Sequence, residues 1–93
     1  MWIQRAYAGD IEEAMEPLTC QLGANEHPGD IVVTCVNGTR ELTFYIEMSR
    51  DPQEFSVKVT FLKKESPDNM HSGRVDPFQE TLKALANWLK ESS

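Results

Sequence analysis

Ile31-Val32-Val33-Thr34-Cys35-Val36-Asn37-Gly38-Thr39-Arg40-Glu41-Leu42-Thr43-Phe44-Tyr45-Ile46-Glu47-Met48 carries the clearest structural signal of the chain. Two runs rich in alternating apolar residues, 31–36 and 41–48, flank Asn37-Gly38. Asn and Gly both tolerate the positive φ that a type I′ turn demands, so the pair predicts a β-hairpin. With Asn37-Gly38 as the loop, Val36 faces Thr39, Val33 faces Leu42 and Ile31 faces Phe44. Ile31, Val33 and Cys35 then share a face with Leu42, Phe44, Ile46 and Met48. Any loop of even length keeps those faces, whereas an odd one sets Thr43 and Tyr45 beside Ile31 and Val33 and makes a poorer core.

A third run, 55–62, alternates Phe55, Val57, Val59 and Phe61 with Ser56, Lys58 and Thr60. The six residues Ser49-Arg50-Asp51-Pro52-Gln53-Glu54 join it to the hairpin and preserve parity, so its apolar residues extend the same face. The other face carries Thr34, Thr43, Tyr45, Glu47, Ser56, Lys58 and Thr60, with Val32 and Val36 near the turn. One apolar and one polar face is the usual pattern of an antiparallel sheet.

Helices are expected on both sides of this meander in sequence. Asp10 reads as an N-cap, with Glu13 reaching back to it, and Ile11, Met15, Leu18 and Leu22 follow at helical spacing. Pro17 interrupts that stripe, so the helix kinks or ends near Glu16. On this helical reading Cys20 lies away from the stripe. Residues 2–8 are read as either an irregular arm or a fourth, short N-terminal strand, and 23–30 as a loop by composition. The 14 residues 63–76, rich in Lys, Ser, Pro, Asp, Asn and Gly, read as a long loop. Then Asp76 caps, Pro77 opens and Gln79 completes a capping box for a last helix. Its stripe is Phe78, Leu82, Leu85 and Leu89, with Trp88 at the margin and Glu80, Lys83, Asn87 and Lys90 outside. The expected fold is one α+β domain over 1–93, a two-layer structure. A three-stranded antiparallel meander, with or without the fourth strand, carries two helices on one face, in the order (β)-α-β-β-β-α.

Composition bounds the function. Ninety-three residues hold one modest core, and no apolar run approaches the ~18 residues of a membrane span. Met1-Trp2-Ile3-Gln4-Arg5 has no apolar signal-peptide core, so the cytoplasm is the expected compartment. Cys20 and Cys35 make no disulfide framework and are read as reduced thiols, in keeping with that compartment. The formal net charge is −6. Residues 1–30 hold Asp10, Glu12, Glu13, Glu16, Glu26 and Asp30 against Arg5 alone. Such a surface disfavours phosphate and suits a basic partner.

No catalytic or metal constellation emerges. Cys20, His27, Cys35 and His71 fall in none of the close pairs that hold zinc. There is no phosphate-cradling glycine loop and no nucleophile elbow. His71, in the 63–76 loop, has no partner nucleophile. The chain is read as a non-enzyme without cofactors. The element order is also that of double-stranded-RNA-binding domains, which use a Lys-rich start of the second helix on phosphates. Here that start is Asp76-Pro77-Phe78-Gln79-Glu80, and no nucleic-acid partner is expected.

Two surfaces remain. Glu12, Glu13 and Glu16 lie opposite the first helix's core stripe, where they are either simply solvated or a docking face for a basic protein. Tyr45, with Val32, Val36 and the threonines, marks the uncovered sheet face, which is either plain solvent surface or a contact patch. The leading expectation is a small acidic protein that acts by binding another protein: a toxin-neutralising immunity protein, a phage-type inhibitor of host defence, or a chaperone. The alternatives are a small-ligand or regulatory domain with a cleft beside the 63–76 loop, and a homo-oligomeric subunit, a homodimer for instance, joined through the open sheet face or an edge strand.

Overall fold

A computed structural model describes residues 3–51, 53 and 56–91. The element order is α1 (Ile3–Met15), β1 (Cys20–Ala24), β2 (Ile31–Asn37), β3 (Arg40–Met48), β4 (Val57–Glu65), β5 (Asn69–Arg74) and α2 (Phe78–Lys90). All five strands form one antiparallel sheet in the order β1-β2-β3-β4-β5. The expected α+β architecture holds, with a longer meander: five strands in place of three, and an order of α-β-β-β-β-β-α.

The central hairpin keeps its predicted faces in a different register. Asn37 pairs with Arg40, Cys35 with Leu42, Val33 with Phe44 and Ile31 with Ile46. The loop is Gly38-Thr39, and Gly38 has φ 63° while no described non-glycine residue has positive φ. A single glycine at the first loop position is the signature of a type II′ turn, so the type I′ expectation is corrected. Asn37 is thereby left extended, and its side-chain amide donates to the Leu89 carbonyl at 2.8 Å. Arg40 donates to the Trp88 carbonyl at 2.6 Å and to Glu65 at 2.9 Å. Two residues beside the turn thus satisfy the last carbonyls of α2 and fix that helix on the sheet.

Both helices lie on the face of Val33, Cys35, Leu42, Phe44, Ile46 and Val59, all buried. From α2 come Leu82, Leu85 and Leu89, as the stripe predicts, with Ala86 beside them; Phe78, the stripe's first residue, is half-buried, as is Trp88 at the margin. Its cap differs: Pro77, with ψ 143°, is the N-cap, and no side chain caps the helix. Asp76 therefore stands one residue too early to serve.

From α1 come Gln4, Ala8, Ile11 and Met15. The helix starts by Ile3, so Asp10 lies within it and cannot be its N-cap. The first half of the buried stripe is Gln4 and Ala8, one polar and one small, which is why a search for large apolar residues starts the helix late. Residues 3–8 are helix, not strand or arm; Trp2 lies outside the described residues, as do Phe55, Pro52 and Glu54. Tyr7 meets Phe78 edge-on at 4.8 Å and joins the two helices.

Helix α1 ends at Met15, two residues before Pro17, and the chain becomes extended at Cys20. Cys20 then lies directly opposite Cys35, with Cα atoms 4.5 Å apart, and the two form a disulfide. This overturns the expectation of free thiols. It rested on a helical Cys20, and the cytoplasmic expectation loses the support it drew from them. Residues 63–76 are corrected as well. Strand β4 runs on to Glu65, 66–68 turn, and β5 follows as an edge strand. Asn, His, Ser and Gly are poor strand formers, and an edge not covered by a helix needs no apolar alternation.

Candidate functional site

Among the described residues, no element forms a layer over the sheet's second face. Cross-strand pairing arranges its side chains in rows. One row is Val36–Glu41–Lys64–Met70, the next Thr34–Thr43–Leu62–Ser72, the third Val32–Tyr45–Thr60–Arg74, and the last includes Glu47–Lys58. The two middle rows hold a single charge, Arg74 at the edge, and the outer rows hold acids on β3 and bases on β4. An uncharged centre with a charged rim is the anatomy of a protein–protein interface.

At the centre Thr43 is 7% exposed although none of the described elements outside the sheet covers it. Its short side chain sits between Thr34 and Leu62, so the surface is low there. Beside it Tyr45, Thr60, Leu62 and Ser72 line a shallow depression whose floor is formed with Phe61 and Gly73. Gly73 lies opposite Phe61, and a Cβ there would stand 3.0 Å from the Phe61 ring, so the glycine lets the ring lie close. Val36 at 51% and Met70 at 58% are the exposed apolar side chains of this face. Glu41 stands directly across from Lys64, and Glu47 from Lys58, yet neither couple closes into an ion pair.

The four residues singled out in the sequence do not converge. Tyr45 is half-buried in the open face, while Glu12, Glu13 and Glu16 are exposed on the helix layer, on the other side of the sheet. Among the described residues no ion pair engages those three acids. Leu62, Lys64, Met70 and Ser72 went unnoticed in the sequence because the second half of each row lies on β5 or at the end of β4. Once 69–74 is extended, the alternation of Met70, Ser72 and Arg74 would have shown it.

The remaining polar clusters hold the fold together. Asp30, its side chain wholly buried, accepts from the Met48 amide at 3.2 Å and from Arg50. That ties the start of β2 to the β3–β4 connection. Arg40 and Lys63 lie 4.9 and 5.0 Å from the Trp88 ring centre. His27 is an exposed loop residue, and His71 is exposed on β5 opposite Lys63. Among the described residues no three His, Cys, Asp or Glu side chains could hold a metal ion, and no helix is long and apolar enough to cross a membrane. The cleft expected beside a 63–76 loop has no such loop to form it. Compared with known protein families, curated proteins and solved structures, the chain matches none.

Proposed function

We propose that this chain is a non-catalytic protein that acts by binding another protein through the open sheet face centred on Tyr45. One observation carries the reading: a sheet with both helices on one side and, on the other, an uncharged centre flanked by Glu41, Lys64, Glu47 and Lys58. At roughly 4.8 Å between strands and about 6.8 Å between alternate residues, three rows over four strands and one over two cover on the order of 450 Å². That is within reach of the roughly 800 Å² that one partner contributes to a standard interface. Tyr45 supplies a large, rigid area with a polar tip, as interface anchors do. The function works through a surface and needs no enclosed site.

A photo-cross-linking phenylalanine analogue placed at Tyr45 tests this in cells that express the protein. A discrete adduct is expected there, and none from the same analogue at Lys83 on the exposed side of α2. A second copy of the chain counts as a partner in this test. No adduct from position 45, with the variant folded, would overturn the reading.

A further inference from the structure

We infer that the partner taken by the open face is a second copy of this chain, related by a two-fold axis running along the strands between β3 and β4. The inference rests on the reading of that face as an interface and names its occupant.

The order of side chains within the rows is self-complementary. Val36–Glu41–Lys64–Met70 runs apolar, acid, base, apolar from β2 to β5. Rotation about an axis parallel to the strands exchanges β3 with β4 and β2 with β5 while keeping each row at its own level. In the two facing copies Glu41 then lies over Lys64 of the second copy, and Lys64 over its Glu41. Val36 lies over Met70, so the exposed apolar side chains of this face cover each other. The last row obeys the same rule, with Glu47 over Lys58 and the reverse. In the middle rows Thr43 meets Leu62 and Tyr45 meets Thr60. At the flanks Thr34 meets Ser72 and Val32 meets the aliphatic stem of Arg74, while Tyr45 of one copy approaches the depression between Tyr45 and Ser72 of the other.

The alternative axis, across the strands, brings Glu41 over Glu47 and Lys64 over Lys58, which like charge opposes. The charges therefore choose both the occupant and its orientation. Such face-to-face packing keeps strand directions within about 30° of each other, as in sandwiches. Two such faces bury on the order of 1,000 Å², which is the lower bound for a specific interface. A self-complementary patch is what an isologous dimer requires. Among the described residues Glu41 and Lys64 have no ion-pair partner within the chain, so both are available for the contact.

Sedimentation equilibrium over a range of concentrations tests the proposal. The parent is expected to dimerise, and Leu62→Arg to be monomeric with an unchanged circular-dichroism spectrum. Glu41→Lys and Lys64→Glu, each alone, place like charges in two symmetric contacts and should each weaken the dimer by about tenfold. Mixed in equal amounts, they should form a heterodimer of near-parent strength. In that heterodimer the two bases of the Glu41→Lys chain lie over the two acids of the Lys64→Glu chain. Only pairing between chains produces that rescue, since each variant keeps its like charges within its own sheet. A parent that stays monomeric, a dimer indifferent to Glu41→Lys, or a mixture that fails to rescue would overturn the proposal. A monomeric parent whose position 45 still cross-links to a different protein would overturn the second copy alone. Absence of any adduct at position 45 would remove the interface itself.

Discussion

Phe44 and Tyr45 are neighbours in β3 and lie on opposite faces of the same sheet. Phe44 is fully buried beneath the helices, and Tyr45 is half-buried with no described element above it. The covered face is apolar from Val33 to Val59 and owes its order to packing. The open face keeps the same strands but fills its centre with threonines and collects charge at its rim. A side chain on the covered face is constrained by volume, and one on the open face is free of that constraint. Stability and the proposed function thus fall to alternate residues of one strand.

The largest test of that division is a pair of truncations. Phe44→Ala should lower the free energy of unfolding by about 3–5 kcal/mol, and Leu85→Ala by about 2–5 kcal/mol, because each leaves a cavity between sheet and helix. Tyr45→Ala should cost less than about 1 kcal/mol, as most surface substitutions do. Urea unfolding checks this, at protein concentrations low enough to keep the chain monomeric. A Tyr45 variant as damaged as the Phe44 variant would break the comparison.

The next effect concerns the border of the covered face, where β1 passes beyond the helices and Leu22 is 48% exposed. Little packing holds this strand, and the Cys20–Cys35 bond joins it to β2 across a sequence separation of 15. Closing a loop of that length removes chain entropy worth about 3 kcal/mol from the unfolded state. Reductant should therefore lower the free energy of unfolding by about 3 kcal/mol and shift the urea midpoint down, with the core variants and the reduced protein behaving additively where the sites are distant. An unchanged midpoint on reduction would mean that packing alone retains β1.

The same division explains what the sequence could reveal. Strands β2 and β3 and most of β4 are legible because one face is buried, and burial writes alternation into the chain. Helix α2 is legible for the same reason, through Leu82, Leu85 and Leu89. The edges are not. Leu18 and Leu22 sit at helical spacing from Ile11 and Met15 by coincidence, which drew β1 into the helix and hid the opposition of Cys20 and Cys35. Strand β5 faces solvent and has no apolar period to display. Of the open face, Tyr45, Val32 and Val36 could be read directly. Met70 and Lys64 could not, because a row exists only once the register of every strand is known.

The smallest effect is the most diagnostic of the helix layer. Glu12 and Glu13 lie in the last turn of α1, Glu16 just beyond it, and no basic residue occupies that turn. Carboxylates at a helix C-terminus oppose the dipole, so Glu12→Lys, Glu13→Lys and Glu16→Lys together should raise stability by about 0.5–1 kcal/mol. The gain should shrink as salt screens these exposed charges. Had these acids stood at an N-terminus capped by Asp10, the same reversal would cost about 1 kcal/mol, so the sign of the change in urea midpoint decides which end of the helix they occupy. Three reversals of two charges each bring the formal net charge from −6 to zero. Because the acids lie across the sheet from Tyr45, cross-linking at position 45 should be unaffected. If a basic protein docks on α1 instead, its association rate should fall in the triple variant and, for the parent, with rising ionic strength. Loss of position-45 adducts in a stably folded triple variant would show that the two sides of the molecule act together.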